Sequence, residues 1–221
     1  MTRAEAADTG MQLELYVDLA CPWSYMAKRN LEWALAASER GSEFAVLLRP
    51  FLAEPINLTK AAADSSVMVA ASAGIDYRPD QVVQSDTLAA HRLVWLAGQE
   101  LGSRAARRVM DRVFLAHFTE GRDIADVRTL TDIGRRSGLD ERRMREFLAS
   151  DEGVAEQREE LRQARDRGIT AAPTLVFGNG RVLVGAHDSV IYLDMLEELA
   201  TDADNHVRRE DQHVAEERAC A

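Results

Sequence analysis

The chain has 221 residues, of which 46% are hydrophobic, so it can bury a substantial core and disorder of the whole chain is excluded. Its formal net charge of −10 argues against nucleic acid as the main partner, because phosphate binding needs clustered positive charge. The sequence has no apolar run of about 18 residues and no signal-peptide core at its start, so we expect no membrane contact and a cytoplasmic location.

The first predicted elements form a strand-helix-strand unit. Residues 1–11 are polar and Ala-rich and are expected to be a loose arm, with the fold starting near Gln12. Apolar residues alternate over 13–17 as in a strand, recur at helical spacing over 23–39, and form a second strand over 44–49. Such a unit is normally parallel and right-handed.

Helical patterns then continue for more than a hundred residues after an extended link at 50–55. They show no fixed period, so we expect an amphipathic helical bundle and not a repeat array. The predicted helices span residues 59–73, 87–101, 105–118, 128–137, 141–149 and 154–167.

The last part of the chain returns to strands. Residues 173–177 and 181–184 are predicted strands, and the Asn179-Gly180 pair between them is typical of a hairpin turn. A final helix is predicted over 188–199. From Thr201 on the chain is charged and poor in large apolar residues, so we expect it to be disordered or an isolated helix.

The two cysteines of the chain, Cys21 and Cys220, do not favour a disulfide framework, since Cys220 stands next to the last residue in a charged tail. No Cys/His pair has the spacing of metal ligands, so no metal site is predicted. We also expect no tightly bound cofactor.

Cys21 stands where the first strand ends and the first helix begins. The unpaired N–H groups and the positive end of the helix dipole stabilise a thiolate there, and Pro22 suits the first helical position. The pattern therefore predicts a reactive thiol whose pKa is lowered from about 8.5 to roughly 3.5–7.5. The alternative interpretation is a small, buried, inert cysteine.

Several short motifs together resemble the DsbA-like form of the thioredoxin superfamily, and more narrowly its FrnE-like group, which is related to 2-hydroxychromene-2-carboxylate isomerase. The resemblance covers roughly residues 12–200 and rests on Asp-Leu-Ala-Cys-Pro-Trp-Ser-Tyr at 18–25, Arg-Pro-Phe at 49–51, residues 86–93, residues 118–124, Pro173 and Gly-Ala at 185–186.

This resemblance implies an α/β, thioredoxin-like fold with a large all-helical domain inserted between its two halves. The thioredoxin-like domain would comprise residues 12–57 and 168–200, and the insertion residues 58–167. Residues 201–221 would be a loose terminus.

The resemblance also implies the site. A proline before the third core strand is usually cis in this superfamily and lies beside the reactive cysteine, which assigns the Ala172-Pro173 bond; a trans proline that merely starts the strand is the alternative. His91 is a candidate for positioning a proton or assisting the thiolate, although it could equally be a bonded residue of the helical bundle. The expected substrate-contacting residues are Pro22, Trp23, Ala172, Pro173 and Phe118.

Ser24 departs from the dithiol members of this family, which have a second cysteine at that position. Because a serine hydroxyl cannot resolve a mixed disulfide, two-cysteine cycling at this site is excluded. Three explanations stay open: a natural monothiol enzyme in which Ser24 donates a hydrogen bond to the Cys21 thiolate, a serine introduced in place of cysteine to trap intermediates, or a distant resolving role for Cys220.

Three functions fit a single thiol in this fold. Cys21 can exchange mixed disulfides with a low-molecular-weight thiol as co-substrate or with a thiol-bearing protein. It can instead add reversibly to an unsaturated small molecule, such as a polyketide, and catalyse cis–trans isomerisation. The third is a non-catalytic protein that binds through a groove at Pro173. A deep apolar pocket near Trp95, Phe114 and Phe118 would favour the small unsaturated molecule as the substrate. Separately, the apolar faces of the predicted helices could pack in the core or form a homodimer interface.

Overall fold

The computed structural model describes residues 11–53 and 60–219, with side chains described for 11–53 and 65–205. Among these residues, no helix is both long enough and apolar enough to cross a bilayer. The expected loose arm at residues 1–10 lies outside the described part of the chain, and Met11, which is described, is buried.

Four strands form one mixed sheet in the order β2-β1-β3-β4. β1 (Gln12–Val17) pairs parallel with β2 (Ala45–Pro50), as expected for strands joined through a helix, and antiparallel with β3 (Thr174–Phe177). β3 and β4 (Val182–Val184) form the predicted hairpin. β2 is therefore an edge strand of the sheet.

Eight α-helices fall within the described residues, and most begin and end within two residues of the predicted positions. They are α1 (Pro22–Ala37), α2 (Lys60–Ser72), α3 (Leu88–Leu101), α4 (Ser103–Phe118), α5 (Val127–Arg136), α6 (Glu141–Leu148), α7 (Val154–Asp166) and α8 (Ser189–Ala219).

The end of the last helix differs from the prediction. α8 continues without a break from Ser189 to Ala219, so the backbone after Thr201 is a continuation of this helix, neither disordered nor a separate helix. The prediction was wrong because it relied on apolar periodicity, whereas the charged residues here are good helix formers. The start of α8 packs on the core through Tyr192 and Leu196, both almost completely buried.

One hydrophobic cluster joins the sheet to the helices that follow β2. It contains Leu13 and Leu15 of β1, and it continues through α1 to Val113 and Phe114 of α4. A second, smaller cluster on the other face of the sheet contains Tyr16, Val176 and Ala164 of α7. The sheet is thus covered on both faces, as expected for strands with few polar residues.

Aromatic rings make the contact between α1 and α4. The Tyr25 ring stacks on Phe114 with 4.9 Å between ring centroids and on Phe118 with 6.1 Å. Beside them the buried Lys28 ammonium forms ion pairs with Glu32, at 2.6 Å, and with Asp111 of α4. Since Cys21 directly precedes the first residue of α1, these contacts fix the helix that positions the thiol.

On the opposite face, a charged network ties β1 and β2 to α7. Arg49 pairs with Glu14 at 2.7 Å and with Glu160 of α7 at 3.1 Å. Glu14 also pairs with Arg167, at 2.5 Å. Hydrogen bonds from Arg49 and Arg167 outweigh the effect of burial and hold the pKa of Glu14 below its usual value.

We predict that Phe114→Ala lowers the free energy of unfolding by about 3–5 kcal/mol, because it removes a fully buried ring between α1 and α4 and leaves a cavity. Urea unfolding followed by circular dichroism measures the change. Trp33→Ala, at a ring that is 54% exposed on α1, is the matched control and should change stability by about 0.5 kcal/mol or less. Equal losses in both variants would contradict the packing role of Phe114.

Candidate active site

Cys21 is the N-cap of α1, and Pro22 is the first helical residue, as predicted. The Cys21 N–H donates to the Asp18 carbonyl at 3.1 Å, and the Cys21 carbonyl accepts the N–H of Ser24 at 3.0 Å. The thiol is therefore held at the start of the helix by backbone bonds on both sides. It is a free cysteine and only 4% exposed.

The loop before β3 lies against this thiol. The Ala172-Pro173 peptide bond is cis, which confirms the isomer implied by the family resemblance. The Cys21 Sγ–H donates to the Ala172 carbonyl, with 3.6 Å between sulfur and oxygen. Residues 151 positions apart in the chain thus form the two sides of one site.

Ser24 lies directly behind the sulfur and is fully buried. Its Oγ accepts the N–H of Asp18 at 3.2 Å, which leaves the hydroxyl hydrogen free to donate elsewhere. The Ser24 hydroxyl and the N–H groups of Ser24 and Trp23 all act to lower the pKa of Cys21. The side chain in the place of a second cysteine is thus oriented as a donor toward the sulfur.

Burial nevertheless raises the pKa of the Cys21 thiol above its ordinary value, because an enclosed thiolate loses hydration. The donors at Ser24 and Trp23 offset this only in part, and the negative charge of Asp18 acts in the same direction as burial. The predicted lowering of the pKa is therefore wrong. The sequence reveals the helix start but not how completely the sulfur is covered.

Asp18 is a central residue of the site to which the sequence motif assigned no role. Its buried carboxylate accepts the N–H groups of Ala20 at 2.9 Å and Ala53 at 2.7 Å, and the Thr87 hydroxyl at 3.4 Å. Burial raises the pKa of Asp18 although these donors favour the carboxylate. An acidic residue directly after a buried strand, three positions before Cys21, was the available signal.

Tyr77 is a second residue that sequence reasoning missed. It comes from the segment between α2 and α3, is 8% exposed, and packs edge-on against Phe118 with 5.5 Å between ring centroids. Burial raises the pKa of its phenol, a hydrogen bond with Ser66 lowers it, and the charge of a Cys21 thiolate raises it. Tyr77 therefore belongs to the aromatic cluster around Phe118, and no periodic pattern around residue 77 indicated this.

His91 does not make the contact that the resemblance implied. It is 3% exposed, forms a backbone hydrogen bond with Phe51, and lines a cavity between β2 and the helices whose lining residues do not include Cys21. Burial lowers the pKa of His91 to about 3, so the ring is neutral near pH 7 and is not available as an imidazolium acid for a leaving thiolate. The hypothesis that His91 assists Cys21 is not supported.

The other predicted site residues fall into two groups. Pro22 and Trp23 are half-buried beside Cys21, where a substrate can reach them. Phe118 is 1% exposed and lies inside the aromatic cluster with Tyr25, so it does not face the surface around the thiol. Cys220, considered as a distant resolving cysteine, lies outside the described residues.

A buried thiol at the N-cap of the first helix, facing a cis-proline loop, defines a thioredoxin-type thiol site. Residues 12–198 match the model of the DSBA-like thioredoxin domain family, which is most of the 221-residue chain. The chain belongs to this family, whose enzymes are thiol oxidoreductases and isomerases.

Solved structures share the fold. A probable DsbA oxidoreductase from Streptomyces coelicolor is 25% identical, with 86% of this chain and 90% of that chain covered and a TM-score of 0.78. The cytosolic disulfide reductase DsbM from Pseudomonas aeruginosa is 22% identical, with coverages of 89% and 98% and a TM-score of 0.62. A 2-hydroxychromene-2-carboxylate isomerase is 17% identical, with coverages of 91% and 98% and a TM-score of 0.59. The expected thioredoxin-like fold with a helical insertion is confirmed.

We predict that Asp18→Asn lowers the pKa of Cys21, because the change removes a negative charge that opposes thiolate formation and keeps the size of the side chain. The pH dependence of iodoacetamide alkylation, followed by mass spectrometry, gives the pKa. In the wild type, half-maximal reactivity should fall above the ordinary range of a cysteine, and Asp18→Asn should move it to lower pH.

Thr87→Val is the matched control for this experiment. It removes the hydroxyl that donates to Asp18 but leaves the charge in place, so the alkylation profile of Cys21 should stay close to that of the wild type. A profile for Asp18→Asn that coincides with the wild type would contradict the electrostatic role of Asp18.

We predict that His91 makes the protein less stable as the pH falls below 6.5. The pKa of His91 is about 3 in the folded chain and about 6.5 in the unfolded chain, so the unfolded chain takes up the proton first and is favoured by acid. Between pH 7 and pH 5.5 the wild type should lose about 1 kcal/mol more of its free energy of unfolding than His91→Phe does.

Urea unfolding at the two pH values measures this difference. Leu96→Ala, at a buried residue of the same helix without a titratable group, is the control and should lower stability equally at both pH values. If His91→Phe keeps the full pH dependence of the wild type, His91 is not the buried neutral group described.

Proposed function

We propose that this protein is a thiol-disulfide oxidoreductase that uses Cys21 as its single reactive thiol. The observation that carries the proposal is the geometry around its sulfur: the Sγ–H donates to Ala172 in the cis-proline loop, and Ser24 is oriented as a donor from behind. Among the described residues, the groups that form hydrogen bonds with the sulfur are an acceptor for the thiol and donors to the thiolate, and Cys21 is the only cysteine.

The reaction follows from a single thiol. The Cys21 thiolate attacks one sulfur of a disulfide substrate, so that a mixed disulfide forms on Cys21 and the other half of the substrate leaves as a thiolate. A low-molecular-weight thiol such as glutathione, acting as co-substrate, then attacks the substrate sulfur of this mixed disulfide. Cys21 leaves as a thiolate, and the substrate half departs joined to the small thiol. A second molecule of the small thiol then releases this half as a thiol and forms the disulfide of the small thiol, so two small thiols supply the two electrons that reduce one substrate disulfide.

The raised pKa of Cys21 favours reduction of substrates over their oxidation. A cysteine whose thiolate is not stabilised is a poor leaving group from a mixed disulfide, so its disulfide form is a weak oxidant. Strongly oxidising members of the superfamily instead stabilise the thiolate of their reactive cysteine. The thiolate that does form is a strong nucleophile, since nucleophilicity rises with the pKa of the thiol. The similar DsbM is named a cytosolic disulfide reductase and has also been solved with GSH, which supports both this direction and the class of co-substrate.

Pro22, Trp23, Ala172 and Pro173 are the residues that we assign to substrate contact. Pro22, Trp23 and Ala172 are partly exposed and Pro173 is buried, and the Ala172 carbonyl provides a backbone acceptor beside the sulfur. This arrangement suits a thiol-bearing peptide or small thiol better than isomerisation of an unsaturated molecule, because the cavity beside Trp95 does not include Cys21 in its lining.

We assign the protein to the cytoplasm. A single reactive thiol that works with a reducing small thiol suits a reducing compartment, where structural disulfides are rare. The similar DsbM is a cytosolic disulfide reductase, which supports this assignment.

We predict that Cys21→Ala lowers glutathione-dependent reduction of hydroxyethyl disulfide by more than about 100-fold, because the nucleophile is lost. Ser24→Ala keeps the nucleophile but removes one donor to the thiolate, so its rate should fall by only about three- to tenfold. Mass spectrometry of the wild type incubated with oxidised glutathione should show one glutathione joined to Cys21. Full activity of Cys21→Ala would overturn the proposal, and a full rate for Ser24→Ala would overturn the role of Ser24.

A further inference from the structure

A cavity of about 300 Å³ runs along the edge strand β2, between this strand and helices α3, α4 and α7. Cys21 does not line it, and the disulfide chemistry proposed above makes no use of it. Its volume is at the lower end of the range for small-molecule sites, whereas a cavity of about 150 Å³ already accommodates benzene. The cavity therefore has room for one substituted ring.

The lining of the cavity is partly apolar and partly polar. Helices α3 and α4 contribute the apolar side chains Val94, Trp95, Ala106 and Met110. The polar side chains of the lining are Arg49, His91, Gln99, Ser103, Gln157 and Glu160. Gln99 and Ser103 are exposed and therefore stand at the opening of the cavity. One ring nitrogen of His91 bonds the Phe51 backbone and the other is completely enclosed, so His91 offers a ligand no polar atom.

Gln157 of α7 is the buried polar side chain whose hydrogen-bonding atoms open on the cavity. Only 3% of this residue is exposed, yet its amide forms no hydrogen bond with the described residues. The unpartnered side-chain atoms that are completely enclosed in this part of the chain belong to His91 and His117, so the Gln157 amide keeps some accessible surface. Because Gln157 lines the cavity, that surface faces it. An enclosed amide without partners is costly, which favours a ligand that supplies them.

The free edge of β2 adds backbone groups to the same cavity. The N–H of Ala45 points toward β1, since it donates to the Met11 carbonyl at 3.1 Å. Direction alternates along a strand, so the N–H and C=O groups of Val46 and Leu48 point away from β1. Both residues line the cavity, and no described strand pairs with this edge of β2. Unpaired backbone donors and acceptors therefore lie along the cavity.

The charged side chains of the lining are already paired. Arg49 forms ion pairs with Glu160 and with Glu14, and Glu14 also pairs with Arg167. Two positive and two negative charges thus balance within this network. A charged ligand would add an uncompensated charge to a largely enclosed site, so the cavity suits a neutral molecule.

An amide is the neutral group that best matches the unpaired atoms of the cavity. A carboxamide or a lactam donates through its N–H and accepts through its C=O in one plane, so it can form two hydrogen bonds with the Gln157 amide. The edge of β2 offers the same combination, because the Val46 C=O and the Leu48 N–H point to the same side of the strand. A ketone, which only accepts, would leave the acceptors of the cavity without donors.

We propose that this cavity binds a small neutral molecule that carries a carboxamide or lactam group on an apolar ring. The amide group pairs with Gln157 and with the edge of β2 at Val46 and Leu48, and the ring packs on Trp95 and Met110. The site is separate from the thiol of Cys21, and the proposal does not rest on the function proposed above.

The test uses benzamide, acetophenone and toluene as probes on the full-length protein. Benzamide can donate and accept hydrogen bonds, acetophenone can only accept, and toluene can do neither. Benzamide should bind about tenfold more tightly than acetophenone, as one added hydrogen bond allows, although acetophenone is the more hydrophobic probe. In ¹H–¹⁵N spectra, benzamide should shift the side-chain amide signal of Gln157 and the backbone signals of Val46 and Leu48.

Three variants complete the experiment. Gln157→Met keeps the length of the side chain but removes its donor and acceptor, so benzamide should bind about tenfold more weakly and toluene unchanged. Gln163→Met, at an exposed glutamine of the same helix outside the cavity lining, is the matched control and should keep the wild-type affinities. Ala106→Leu fills the cavity from α4 and should weaken all three probes, and it serves if Gln157→Met does not fold.

Three results would overturn the proposal and indicate a cavity that holds only water. The first is equal binding of benzamide and acetophenone to the wild type. The second is a Gln157 side-chain signal that benzamide leaves unmoved. The third is undiminished binding of benzamide by Gln157→Met or by Ala106→Leu.

Discussion

The buried carboxylate of Asp18 is the contact on which the arrangement around the thiol depends. It accepts bonds from Ala20 in the turn between β1 and α1, from Ala53 after β2, and from Thr87 at the start of α3. The backbone of Asp18 also holds residues 21–24, which form the reactive turn. The Asp18 carbonyl accepts the Cys21 N–H, and the Asp18 N–H donates to Ser24 Oγ. One residue therefore fixes the reactive turn and joins it to the inserted helices. Charge and position are thereby linked, since the group that holds the turn also opposes ionisation of the sulfur.

Burial sets the resting state of Cys21 as a thiol. The dipole at a helix N-terminus stabilises a thiolate by much less free energy than full hydration does. The dipole effect is also limited to the first turn of the helix. At Cys21 the loss of hydration is the larger effect, although Ser24 and Trp23 both offer hydrogen bonds to the sulfur. Such a thiol is a poor leaving group but a strong nucleophile once ionised. These properties favour the step in which Cys21 attacks a disulfide over the step in which a small thiol displaces Cys21, so the second step needs an abundant small thiol.

The order of strands and helices follows from local patterns, which is why it could be predicted. Apolar residues alternate along β1 and recur at helical spacing along α1, and both patterns reflect which face of the element is buried. The Asn179-Gly180 pair marks the hairpin turn. The contacts that govern the site are of another kind. Ala53 and Thr87 lie 35 and 69 residues from Asp18, and no local pattern brings them to its carboxylate. The sign of the pKa shift at Cys21 was missed for the same reason, since the residues that cover the sulfur come from distant segments.

In the function proposed above, the bond between Cys21 and Ala172 links the resting thiol to substrate recognition. While the thiol is protonated, its hydrogen is held by the Ala172 carbonyl. Ionisation removes that hydrogen, and the carbonyl oxygen, which carries partial negative charge, then faces a thiolate at close range. A backbone N–H of an approaching substrate can relieve this repulsion by donating to the same carbonyl, so binding at the cis-proline loop favours the ionised sulfur. In this arrangement the nucleophile is most readily formed when a substrate is already in place, and the enclosed thiol is protected from other reactants until then.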